Sequence, residues 1–507
     1  SVPLSRAVYL IIRLREGHRK GSEEELYPRR EPYSDILFLQ FVLQAPSDGR
    51  KHLGAFLAET KTETVMTDGR ISRVEVIDVR FPTSLELYGS DAMHTDPDYS
   101  CAYVIISTDN NLQGHGLTFT AGRGTEIVVA AVKALIPIIR GVSLESIYSN
   151  FGQFWRKLTS DSQLRWVGPE KGVIHLATAA VVNALWDLWA KIRGKPVWKL
   201  LADMDPEEIV SLIDFRYLSD ILTREEAIEI LQKKKSTRAQ RERELTTNGY
   251  PAYTTACGWI GYGDEKIKKL CRDAQSEGFT SFKVKVGQNL LDDKRRLQVV
   301  RSTIGDKCKL MVDANQCWDV KEAIYWMKEL SDYRIHWIEE PTSPDDILGH
   351  ATISKALAPL GIGVATGEQC QNRVMFKQFL QAGALQYCQI DSCRLGGVNE
   401  NLAVILMTEK CKVPVCPHAG GVGLCELVQH LSFWDYISVS GTMDNREIEY
   451  VNQLHEHFKT PVIVKNGRYM PPHAPGYSCE MLPSSIEKFR FPDGSFWKES
   501  ANFKGVF

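Results

Sequence analysis

The sequence predicts an α/β protein in which a TIM-type (β/α) barrel carries an α+β capping domain. Between Phe282 and His418, short β-branched or apolar runs recur, and each closes on polar residues: Lys283 and Lys285 in FKVKVG, Asp313 and Asn315 in MVDANQ, Glu339 and Glu340 in HWIEEP, Glu368 in ATGEQ, Asp391 in QIDSCR and His418 in VCPHAG. Such runs read as buried strands ending in chemistry. From 313 to 339 is 26 residues, 339 to 368 is 29, 368 to 391 is 23 and 391 to 418 is 27, the length of one strand, one helix and two short loops. Ahead of them, strand-like alternation followed by long apolar helical runs supplies the smaller layer.

Residues 1–65 stand apart. SRAVYLIIRLREGHRK is Arg-rich, but Glu16, Glu23, Glu24 and Glu25 are out of place in a targeting peptide, which is poor in acids. The expectation is an extension outside the enzyme core, with the core beginning near Met66.

Residues 66–245 are assigned to the cap. RISRVEVIDVRF and YSCAYVIIST alternate as strands do, with LYGSDAMHTDPDYS as a loop between them. Thr125 is expected to cap a helix through EIVVAAVKALI, and HLATAAVVNALWDLWAKIRGKPVWKLL reads as a nearly apolar helix ending at Gly194. His175, Trp186, Trp189 and Trp198 on that run are expected to serve packing. Thr223–Leu245, where acids alternate with bases, reads as one solvated helix.

Residues 246–446 are assigned to the barrel, with strands in PAYTTACGW, SFKVKVG, KLMVDA, HWIEE, IGVATGE, LQYCQID, KVPVCPH and YISVSG. Residues 447–507 are expected to return to the cap.

In a closed barrel the C-terminal strand ends converge on one face, so Asp313, Glu339 and Glu368 aim at a common point. Three converging carboxylates repel unless a cation sits among them, and an all-oxygen set suits Mg²⁺. Lys283 and Lys285, two apart, share the interior face of their strand. A Mg²⁺ ion holding a substrate carboxylate stabilises the charge formed when the neighbouring carbon loses a proton, with Lys285 and His418 as candidate bases. Proximity of the two lysines and the metal is expected to lower the pKa of the base.

A net charge of −2 gives no footprint for nucleic acid, which favours a small-molecule partner. The apolar run Ile36–Ala45 is too short to span a bilayer. The twelve cysteines form no CxxC and suit a reducing, intracellular compartment.

A KxK, then Asp, Glu and Glu on successive strands, then an Asp and a His, resembles the enolase superfamily, mandelate racemase subgroup, from about Gly69 to the C-terminus. The resemblance implies a modified (β/α)7β barrel with Asp313, Glu339 and Glu368 as Mg²⁺ ligands. It makes Lys285 the base at C2 and His418, oriented by Asp391, the acid at the C3 hydroxyl. Gly89, Ser90, Asp91, Tyr99, Lys283, Asn315, Glu368 and Glu449 are the implied substrate-binding residues. The implied reaction is dehydration of a sugar acid, L-fuconate, to the 2-keto-3-deoxy acid, in mitochondria by the resemblance with the cytoplasm as the alternative, and with room for a homo-oligomer. The same core serves racemases and dehydratases of other acid sugars, and a silent protein that keeps the fold is the reading from another class. Cys317 stands where the family pattern usually has arginine, a departure that touches substrate contacts or rate and leaves the metal ligands intact.

Overall fold

The computed structural model describes residues 69–503; the expectations for residues 1–65 and Met66 lie outside the described residues. The alternating segments pair as an antiparallel sheet of β1 (Ile71–Arg80), β2 (Ser100–Thr108) and β3 (Gln113–Thr120). The apolar helix Gly172–Ile192 lies directly on β3. It is long and apolar enough to cross a membrane, yet most of it is buried inside the fold. The approach is so close that a Cβ on Gly116 would stand 2.3 Å from Ala184 N, so only glycine fits there. Trp186 is fully buried, stacked on Phe151 at 5.5 Å between ring centroids, as a packing role requires. His175 is structural as well, its Nε2 lying 2.5 Å from Glu400 Oε2 in the interior.

Two local expectations are corrected. Thr125 is not the cap of helix Thr125–Ile139 but its first residue; Gly124 takes the cap position at φ 99°. The Thr125 hydroxyl instead donates to Gly122 O at 2.6 Å. The solvated helix expected over Thr223–Leu245 is two, Arg224–Lys235 and Arg238–Asn248. Arg241 explains the break: its guanidinium turns inward to the Ile437 carbonyl at 2.7 Å, tying the second helix to the barrel.

The barrel strands are β4 (Tyr250–Thr254), β5 (Ser281–Lys285), β6 (Lys309–Asp313), β7 (Ile335–Glu339), β8 (Gly363–Thr366) and β9 (Tyr387–Cys388), each parallel to the next. Cys388 bridges Val415 of the seventh position. The ring closes through β10 (Ile448–Tyr450), which pairs parallel with β4, and Glu449 N–H reaches Pro417 O at 3.3 Å. Helices 264–276, 290–304, 320–329, 347–357, 373–381, 398–411 and 424–434 link successive positions, giving a (β/α)7β barrel.

YISVSG was expected as the eighth strand and is not one. Asp435–Ser440 continues helix Leu424–Trp434 as a π-helical turn, and β10 takes the closing position. A short, fully buried apolar run has no exposed face to separate strand from helix. Residues 447–507 therefore begin in the barrel. They continue through the hairpin of β11 (Ile463–Lys465) and β12 (Arg468–Met470), which adds to β4. The chain then reaches the cap sheet, where Phe491 N–H donates to Asp78 O at 2.8 Å.

Candidate active site

The polar strand ends meet at one mouth of the barrel. Asp313 ends β6, Glu339 ends β7 and Glu368 follows β8, and one oxygen from each lies within 4.8 Å of the others. Lys283 and Lys285, on the same face of β5, reach into this cluster. Lys283 Nζ is 2.5 Å from Glu339 Oε1, 2.9 Å from Glu449 Oε1 and 3.5 Å from Asp313 Oδ2. Lys285 Nζ is 2.5 Å from Asp313 Oδ2. On the far side of the carboxylate strands, His418 Nδ1 is 2.7 Å from Asp391 Oδ2, and its Nε2 is 3.5 Å from Glu368 Oε2.

Each side chain is held from behind. Asp391 Oδ1 accepts the N–H groups of Cys393 and Arg394, both at 2.7 Å, which fixes the carboxylate that orients His418. Asp313 Oδ1 accepts the N–H of Asn315 at 2.9 Å. Glu449 is buried, its carboxylate accepting from Ala419 N–H at 2.9 Å and Thr255 Oγ1 at 3.1 Å. The Asn315 side-chain oxygen is buried without a partner, an open acceptor at the mouth.

Electrostatics follow from this crowding. Burial, reinforced by the charges of Asp313, Glu449 and Glu368, pushes the Glu339 carboxyl up to about 8 despite Lys283. Burial raises Glu340 well above the ordinary carboxylate range as well, with Glu368 and Asp313 adding to it, while the Gln316 side-chain amide donates to it. Burial alone would lower His418, but Glu368, Asp391 and Glu449 overcome it and lift the imidazole to about 9. Burial also works against the Lys285 ammonium, yet Asp313 outweighs it and the pKa stands above the ordinary lysine value. The proximity of Lys283 does not by itself lower the base: the Asp313 carboxylate is in contact with Lys285, and its field exceeds that of Lys283.

An excess of buried carboxylate over lysine charge, with all-oxygen donors within reach of one point, is the environment that a hard divalent cation satisfies. The donor set fits Mg²⁺.

A cavity of about 300 Å³ opens above the cluster, lined from the barrel by Lys285, Asn315, Glu368, Asp391, His418 and Glu449. The cap closes the other side with Gly89, Asp91, His94, Tyr99 and Phe119. Gly89 has φ 77°, and a Cβ there would stand 2.4 Å from the Tyr99 hydroxyl. Its part is to let the loop pass over the Tyr99 ring. Ser90 is not among the lining residues: its hydroxyl sits 2.8 Å from the carbonyls of both Leu87 and Ile260, fastening the cap loop to the barrel rim. Cys317 does not line the cavity either. Its Sγ faces Gly287 O at 3.7 Å, and burial lifts the thiol to about 12.

Residues 74–202 match the mandelate racemase / muconate lactonizing enzyme N-terminal domain and residues 266–485 the enolase C-terminal domain-like family. The chain belongs to the enolase superfamily. Within that superfamily it is 63% identical over 436 residues to human mitochondrial enolase superfamily member 1, covering 86% of this chain and 98% of that protein. The human crystal structure superimposes with a TM-score of 0.85, covering 86% of this chain and 99% of that one. L-galactonate dehydratase of Hypocrea jecorina is 55% identical over 430 residues, 84% of this chain and 95% of that protein. A racemase from Streptomyces coelicolor A3(2) with bound magnesium shares 25% identity at a TM-score of 0.65, covering 83% of this chain and 99% of that one.

Every polar strand end singled out in the sequence converges on this enolase-superfamily site. Sequence reasoning missed Trp259, Gln369 and Arg394, which also line the cavity from loops after strand ends, and Thr255, whose hydroxyl holds Glu449. It also missed His94, although it lies three residues after Asp91.

Proposed function

We propose that this chain is a Mg²⁺-dependent dehydratase of acid sugars with the L-galactonate configuration, L-fuconate among them. L-fuconate is 6-deoxy-L-galactonate, so the substrate implied by the sequence and that named for the Hypocrea relative share their configuration from C2 to C5. The observation that carries the reading is the bracketing of one three-carboxylate cluster by Lys285 on one side and the His418–Asp391 pair on the other.

Asp313, Glu339 and Glu368 would hold Mg²⁺. Bound there, the ion supplies positive charge that holds the substrate carboxylate, stabilises the charge developing at C2 and disfavours the Lys285 ammonium. Lys283 and the Asn315 amide, which would donate through its NH2 group, lie where the substrate's carboxylate end would sit. Lys285 takes the C2 proton. The electron pair left behind forms the C2–C3 double bond as the C3–O bond breaks, and His418 donates the proton that lets the hydroxyl leave as water. The resulting enol takes up a proton at C3, releases the proton of its C2 hydroxyl and becomes the 2-keto-3-deoxy acid. His418 suits the acid role because the carboxylates of Asp391 and Glu449 favour its protonated form.

Turnover of a panel of acid sugars with Mg²⁺, followed by NMR, tests this. The 2-keto-3-deoxy acid is expected from L-galactonate and L-fuconate. Epimerisation at C2 without loss of water, or no conversion of any acid, overturns the dehydratase reading. We extend a mitochondrial location to this chain from the name of its human relative; the twelve free thiols suit a reducing compartment, and recovery of the tagged chain outside the mitochondrial fraction would refute it.

A further inference from the structure

Asp91 and His94 form a second carboxylate–imidazole pair at the cavity, on the cap side. His94 Nδ1 is 3.1 Å from Asp91 Oδ2, while Asp91 Oδ1 accepts the N–H groups of Met93 at 2.8 Å and His94 at 2.7 Å. One carboxylate therefore fixes both the backbone and the ring of His94. Its Nε2 has no partner among the described residues, and the side chain lines the cavity that holds Lys285, Glu368 and His418. The side chain is 47% exposed against 10% for His418, which places it toward the rim, yet the charges of Glu368 and Lys285 both act on it. The loop is preset: Ile260 N–H donates to Ser90 O at 3.1 Å, and Gln288 Nε2 reaches Asp91 O at 3.4 Å.

An acid sugar anchored by its carboxylate at the cluster, with C2 and C3 between Lys285 and His418, extends its remaining carbons toward the cap. Hydroxyls enclosed there need partners, because a buried hydroxyl without one is costly. We propose that His94, positioned by Asp91, is a specificity-determining residue that hydrogen-bonds through Nε2 to a substrate hydroxyl beyond C4. Nε2 accepts when the ring is neutral and donates when it is protonated. The proposal rests on the dehydratase reading above and adds to it the group that measures substrate length.

The test uses the full chain with Mg²⁺ and two acids: L-galactonate, and D-threonate, which shares the C2 and C3 configuration and ends at C4. His94→Ala is expected to lower kcat/KM for L-galactonate by about 10-fold, mostly through KM, as loss of one hydrogen bond at a half-exposed site predicts. The loss on D-threonate is expected to be several times smaller. His94→Gln, whose amide both donates and accepts, should recover most of the L-galactonate rate. Equal proportional losses on both acids, or none on L-galactonate, overturn the proposal. If the wild type converts neither acid, the dehydratase reading fails by itself. Calorimetric binding of L-galactonate in the presence of Mg²⁺ then decides the role of His94: weaker binding in His94→Ala supports it, and unchanged or absent binding sinks it.

Discussion

Lys285 Nζ lies 2.5 Å from Asp313 Oδ2, so the proposed base is ion-paired to a proposed metal ligand. The two roles compete for one carboxylate, and metal binding must loosen the pair before the lysine can accept a proton. Mg²⁺ is therefore expected to raise the thermal midpoint of the wild type, as any ligand of the native state does, and chelator to abolish turnover. Glu339→Gln should stay folded while losing both responses. Full activity in excess chelator, or a Mg²⁺-induced shift that survives in Glu339→Gln, would remove the triad as the metal site.

Gly89→Ala probes the cap loop. The position combines φ 77° with a Cβ 2.4 Å from the Tyr99 hydroxyl, so the methyl group must displace either the loop or the ring. The cost of a left-handed alanine is about 1–2 kcal/mol, less than the net stability of about 5–15 kcal/mol usual for a folded protein. The barrel residues are untouched. KM for the acid sugar is expected to rise about tenfold or more with a much smaller change in kcat. A variant with wild-type KM would show that the loop does not shape the substrate site.

His430 gives a pH signature of stability. Its Nδ1 accepts the Trp198 N–H at 3.1 Å, leaving the proton on Nε2 opposite Ser478 Oγ at 2.9 Å. Burial pushes the ring down to about 3, so the folded protein keeps it neutral while the unfolded chain protonates it below about 6.5. Stability is thus fully present above pH 6.5 and falls as pH drops toward 3, with a slope from this residue approaching about 1.4 kcal/mol per pH unit. Denaturant titrations at pH 7, 6 and 5 should show a shallower decline for His430→Gln than for the wild type. Parallel declines would mean that the ring is protonated in the fold.

Much of the barrel and its site was legible because polar residues at the ends of buried runs have no bland explanation at that spacing. Asp313, Glu339, Glu368, Asp391 and His418 each announce a strand end, and the fold brings all five to one mouth. The closing strand was not legible. Ile448–Tyr450 is three residues long, too short for periodicity, while the β-branched YISVSG run mimicked a strand inside a buried helical stretch. Spacing shows that Lys283 and Lys285 are neighbours but not that each is in contact with a carboxylate. His94 was passed over because a loop carries no periodic signal, although its spacing from Asp91 already allowed the pair.

The remaining question is which group takes the C2 proton. If Lys285 abstracts it before His418 assists the hydroxyl's departure, the two halves of the reaction can be uncoupled. Removing the acid stalls the reaction after proton abstraction, and reversal in heavy water returns substrate carrying deuterium at C2. His418→Asn is expected to dehydrate at least about 100-fold more slowly, the usual contribution of a positioned acid, yet to exchange the C2 hydrogen of L-fuconate or L-galactonate. Lys285→Ala should do neither, since Lys283 on the same face of β5 is held in ion pairs by Glu339 and Glu449. Proton NMR of substrate recovered after long incubation reads both variants directly. Exchange that persists in Lys285→Ala and vanishes in His418→Asn would exchange the two roles, placing the substrate's C2 hydrogen on the His418 side of the cavity, where the imidazole held by Asp391 would then act as the base.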